Sequence, residues 1–130
     1  MTKTQKDIAT QRDPTGFQNA ATLFRALGHP VRLEIVALLG HGEVCVCHLQ
    51  AILKRRQPYI SQQLMALRDA GLVVDRRDGS MVYYSLVSEN TEMLLEWAQA
   101  ELRRQGLTPP RVRTPEALVE GCPCPRCSPC

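Results

Sequence analysis

Gln57-Pro58-Tyr59-Ile60-Ser61-Gln62-Gln63-Leu64-Met65-Ala66-Leu67-Arg68 reads as a short helix with one apolar and one polar face. Pro58 pre-sets the start, and Ile60, Leu64 and Leu67 recur at i, i+4 and i+7, which turns Ser61, Gln62, Met65 and Arg68 outward. Gly71 closes the helix. Beyond it, Leu72 to Arg77 and Met81 to Val87 are rich in β-branched and aromatic residues, with Asp78-Gly79 between them as a hairpin-turn signal.

Upstream, Lys54 to Gln57 is a basic turn. Before it a shorter helix is expected over about Cys45 to Leu53, with Leu49, Ile52 and Leu53 facing inward. Pro30 suits a first helical position, and the stripe Val31, Ile35, Leu38 and Leu39 ends at Gly40 and Gly42. Phe17, Ala20, Ala21, Phe24 and Leu27 place an amphipathic helix over about Thr15 to Leu27, stopped at Gly28. A last helix from about Glu89 to Gln105 carries Met93, Trp97 and Ala100 on one stripe, with Leu94, Ala98 and Leu102 beside it.

The expected fold is mainly α with a β-hairpin wing, in the order α-α-α-α-β-β-α: a winged helix-turn-helix. Residues 1–14 read as a flexible arm, 15–105 as the folded domain and 106–130 as an extended Pro/Cys-rich tail, since six of the nine prolines lie beyond Gly106. The first and last helices carry broad apolar stripes that a domain of this size has few surfaces to cover, so a homodimer is expected.

With 130 residues and 44% hydrophobic content the chain has room for one domain with a real core and none for a second, enzymatic one. No nucleophile, base and oxyanion-stabilising set can be assembled from its motifs, which argues against an enzyme. Met1 to Pro14 is polar, and the longest apolar stretch, Leu33 to Leu39, is interrupted by Glu34; a cytoplasmic protein with no membrane partner is expected.

A net charge of +3 says little, but its distribution says more. Six bases, Lys54, Arg55, Arg56, Arg68, Arg76 and Arg77, fall between Lys54 and Asp78, whereas Ser88 to Leu102 holds four glutamates and no base. A polar helix face, a basic turn and a basic hairpin form a plan for reading double-stranded DNA. Gln62 or Gln63 can pair with adenine edges, and Tyr59 or Ser61 can touch phosphate or a base at the helix start beside Gln57. Lys54, Arg55, Arg56 and Arg68 would neutralise phosphates, while Arg76 and Arg77 would reach the flanking groove or backbone.

Six cysteines, Cys45, Cys47, Cys122, Cys124, Cys127 and Cys130, point in a reducing compartment to metal binding or redox sensing rather than a disulfide framework. Thiolates select soft or borderline ions. Residues two apart on an ideal helix point to different sides, so joint ligation by Cys45 and Cys47 needs Cys45 at or before the helix start, or a distorted turn. The tail cysteines, spaced C-x-C-x2-C-x2-C, form a metal-binding pattern of their own or lend ligands to the first pair.

Through Leu27-Gly28-His29-Pro30-Val31-Arg32-Leu33-Glu34-Ile35, Glu43-Val44-Cys45-Val46-Cys47-His48-Leu49, the helix quoted first, Leu67-Arg68-Asp69-Ala70-Gly71-Leu72-Val73 and Arg77-Asp78-Gly79-Ser80-Met81-Val82-Tyr83-Tyr84, the chain resembles the ArsR/SmtB family of metal-responsive repressors. The resemblance covers about Phe17 to Gln105. It implies a homodimer on operator DNA, released when ligand binds, with Cys45 and Cys47 at the sensor position. It also associates the Cys-Val-Cys motif with As(III) or Sb(III), ahead of Cd(II), Pb(II), Hg(II) or Zn(II). Two departures matter: Gln50 stands where arsenic-responsive members often carry a third cysteine, and His48 where the family commonly has aspartate. The last helix lacks the aspartate and histidine pattern of the family's zinc sensors. A thiol-redox or persulfide-responsive repressor of the same fold is the alternative.

Overall fold

The computed structural model describes residues 14–109 and 111; Met1 to Asp13 and the tail cysteines Cys122, Cys124, Cys127 and Cys130 lie outside them. The elements are α1 (Pro14–Leu27), α2 (Pro30–Leu39), β1 (Val44–Cys45), α3 (Val46–Leu53), α4 (Gln57–Asp69), β2 (Val73–Asp78), β3 (Met81–Leu86) and α5 (Asn90–Arg104). This is a winged helix-turn-helix, with the helices expected and one strand more than expected.

Each helix end follows from a local cause. His29 caps α2, its Nδ1 accepting from the Val31 amide at 3.2 Å, and Pro30 follows in the first turn. Lys54 ends α3 in the left-handed region at φ 52, which swings the chain sharply toward α4. Gly106, at φ 79, closes α5 while Leu107 donates its amide to the Leu102 carbonyl at 2.8 Å.

The core is built by the expected stripes. Ile35, Val36 and Leu38 of α2, Leu49 of α3, and Ile60, Leu64 and Leu67 of α4 are completely or almost completely buried. Leu23 of α1 and Leu94 and Leu95 of α5 pack against that cluster.

Two details of the hairpin differ from the sequence reading. Asp78 pairs with Met81, so the two-residue loop is Gly79-Ser80 rather than Asp78-Gly79. Gly79 takes φ 60 at the first loop position, the place where a tight hairpin turn needs glycine. The sheet also has three strands, ordered β1-β3-β2, because Val44 and Cys45 pair with Tyr84 and Tyr83. The expected third helix therefore begins at Val46, and Cys45 serves as its cap.

The stripes on the outer helices are only partly core: Leu27 is buried and Leu94 packs on the cluster, but the large rings are not covered. Phe17 is 88% exposed and Trp97 70%, with Phe24 and Met93 also exposed.

Candidate functional site

The turn between α3 and α4 displays Lys54, Arg55 and Arg56, all exposed, at the N-terminal end of α4. Gln57 is exposed in its first turn, and Arg55 lies over the Tyr59 ring at 5.2 Å from its centroid, holding that half-buried side chain beside the basic turn. Gln62, Met65 and Arg68 are exposed and Ser61 partly so, as the periodicity required.

Gln63 departs from the reading that made it an alternative base contact. It is 7% exposed, and its Oε1 accepts from Arg32 Nε at 2.9 Å, while Arg32 Nη1 donates to the Ala26 carbonyl at 3.3 Å. The cause is rotation: Gln63 precedes Leu64 and lies on the inward side of α4, where its amide needs a buried partner. Arg32 thus ties the end of α1 and the body of α2 to α4. Arg32→Ala leaves the buried Gln63 oxygen unpaired and should cost about 1–3 kcal/mol. The check is a lower urea midpoint with an unchanged m value.

The two wing arginines separate because successive strand residues face opposite ways. Arg77 is exposed and has no acidic side chain within 4.0 Å among the described residues. Arg76, by contrast, donates from Nη2 and Nε to both oxygens of Glu43 at 2.6 and 3.1 Å and stacks over the Tyr83 ring at 4.8 Å. The Glu43 carboxylate holds the Arg76 guanidinium above its ordinary pKa. Arg76 is thereby partnered within the protein, although its side chain stays half exposed. Arg68 is likewise shared, lying 3.4 Å from Asp75 across the space between α4 and the wing. An open cleft of about 570 Å³ runs there, with Cys47, Gln50, Ser61, Arg68, Arg77 and Tyr84 among its walls.

Cys45 is 3% exposed, and its Sγ accepts from the His48 amide at 3.2 Å, capping α3. Its backbone pairs with Tyr83, which in turn pairs with Arg76, so cap, ring and guanidinium form one row across the sheet. Half-buried Cys47 packs against Cys45 and Tyr83 together with Ala51 and Met81. Cys45 therefore meets the positional condition for sharing a ligand with Cys47. Among the described residues no group of three or more Cys, His, Asp or Glu side chains is arranged to hold an ion. His48 is buried in the interior and His29 is spent as a cap. A three-donor site at this pair would need a donor from outside it, and the tail cysteines fall outside the described residues.

Sequence reasoning missed β1 and the Glu43–Arg76 clasp. A weak signal for β1 was present, since Val44-Cys45-Val46 is apolar and β-branched; the partner of Arg76 had none.

Residues 29–74 match a family described as bacterial regulatory proteins, arsR family. A biofilm growth-associated repressor of Agrobacterium fabrum is 42% identical over 58% of this chain and 65% of its own length, so this chain spans just under two thirds of that relative. An arsenic resistance transcriptional regulator of Pseudomonas putida is 38% identical over 62% of this chain and 71% of its own. Among solved structures, the homodimeric winged helix-turn-helix DNA-binding domain of a possible ArsR-family regulator from Mycobacterium bovis superposes with a TM-score of 0.64 at 29% identity, over 75% of this chain and 94% of that one.

Proposed function

Because the chain belongs to the arsR family of bacterial transcriptional regulators, we propose that it is a homodimeric, cytoplasmic repressor that leaves its operator when a thiophilic ion engages Cys45 and Cys47. The observation that carries this reading is the double duty of Cys45. Its sulfur caps the helix preceding α4, and its backbone is a strand of the wing sheet. A ligand drawing on that sulfur competes with the His48 amide and acts at once on the helix start and the wing. The two elements that would flank a DNA backbone are thus wired to one sulfur.

On the duplex, α4 enters the major groove with Gln62 and Ser61 toward base edges. Gln57, Tyr59, Lys54, Arg55, Arg56 and Arg77 supply backbone contacts, and Arg68 does so by exchanging Asp75 for phosphate. The exposed apolar side chains of α1 and α5 meet a second copy, giving two reading helices for two half-sites. Thiolate chemistry favours As(III) or Sb(III), with Cd(II), Pb(II), Hg(II) or Zn(II) as alternatives. Cys122, Cys124, Cys127 and Cys130 of the 106–130 tail supply the missing donors or a separate site.

A second reading has its own support: two thiols packed in one cluster suffice for a reversible sulfur–sulfur bond or persulfide, whereas As(III) or Sb(III) wants a third thiolate.

The test selects an operator from random duplexes with reduced protein and follows affinity against salt, thiophilic ions and polysulfide. Arg77→Ala removes one phosphate contact from each subunit and should make the log–log salt slope of the dimer shallower by about 2, and Arg76→Ala by clearly less. Release by an ion under strict reduction supports metal sensing; release by polysulfide or oxidant alone supports the sulfur switch. No enriched duplex would refute both.

A further inference from the structure

The outer face of α4 carries one side chain that its polar setting does not explain. Pro58, Gln62, Met65 and Asp69 follow one another along the exposed row at helical spacing, and Met65 is 61% exposed. No other residue of α4 is an exposed large hydrophobic. Its neighbours Gln62, Arg68 and Asp69 are exposed and polar, and Ser61 is partly exposed. A single apolar group in such a frame is too small a patch for a protein partner. The surface suited to a second copy lies on other helices, at Phe17, Phe24, Met93 and Trp97.

Duplex DNA offers what the position lacks. Along the major groove the apolar group presented by a base pair is the 5-methyl of thymine, beside the edge that a glutamine reads on adenine. Gln62 and Met65 are three residues apart, so their Cβ atoms lie about 5–6 Å from each other. That is under two base-pair steps at about 3.4 Å each. The unbranched thioether of methionine can settle on a methyl without a fixed approach.

We infer that Met65 is a specificity-determining residue that packs on the 5-methyl group of one thymine per half-site, within about two steps of the base read by Gln62. The inference rests on the operator-binding reading and adds to it a base identity that no hydrogen bond from the protein would specify.

Deoxyuridine tests it, because it keeps the pairing of thymine and removes only the methyl. The full-length reduced protein first selects an operator, and each thymine of that operator is then replaced in turn. At one position per half-site the replacement should weaken the parent about fourfold, the worth of one buried methyl. In Met65→Ala the same replacement should change affinity by less than about 1.5-fold, while Met65→Leu, still apolar, should keep most of the effect. Met65 is exposed, so both variants should melt with the parent. Equal deoxyuridine sensitivity in parent and Met65→Ala at every position, or none in the parent, would overturn the inference while leaving DNA binding standing. Failure to select any duplex would remove the operator reading and this inference together.

Discussion

Phe24→Glu combined with Trp97→Glu should leave the subunit folded, abolish the dimer and weaken operator binding by at least about 100-fold. Both rings are exposed in the single chain, so charging them removes no core contact. In a dimer the same substitutions bury four unpaired carboxylates in an apolar interface, which is prohibitive without partners. A subunit alone engages one half-site and forfeits the high effective concentration that the partner gives to the second. Sedimentation equilibrium, circular dichroism and fluorescence anisotropy together check this. A variant that still sediments as a dimer would remove α1 and α5 from the interface.

The second large effect concerns the thiols. A coupling of the usual size would weaken the parent's hold on DNA by about 5- to 150-fold when the inducing ion is present. Cys47→Ser should lose that response with its ion-free affinity unchanged, because Cys47 packs beside the Cys45 cluster without capping a helix. Cys45→Ser is more informative. Serine is a preferred cap, so the hydroxyl can accept from the His48 amide as the sulfur does, and the repressor should hold DNA yet ignore the ion. Cys45→Ala loses ligand and cap together and should be about 1 kcal/mol less stable than the serine variant. Urea titration separates the two, and a Cys45→Ser protein that still releases DNA on ion addition would place the sensor elsewhere.

Much of the fold was legible because its signals are local. The stripe Ile60, Leu64 and Leu67 and the prolines at Pro30 and Pro58 each act on their own few residues as expected, and Gly79 makes the hairpin turn one position away from where Asp78-Gly79 put it. The site was legible to the extent that a face is. Periodicity put Gln62 and Met65 outside, but Gln63 was read as an alternative base contact, because its interior role shows only with Arg32, 31 positions away. The same limit applies to Arg76. Its neighbour Arg77 is identical in chemistry, and strand alternation separates the two only once Glu43, 33 positions distant, is seen on one side. β1 escaped because a two-residue strand has no period and exists through its pairing with β3.

One thermodynamic cycle tests the account most directly. Arsenite, antimonite, cadmium, lead and mercury are each titrated, under strict reduction, into the free protein and into its preformed operator complex, and operator affinity is measured with and without each ion. At least one ion should bind the free protein more tightly than the complex, by the same factor that it lowers DNA affinity. If every ion bound both forms equally, sulfur occupancy and DNA grip would be uncoupled, contrary to the role assigned to Cys45 and Cys47.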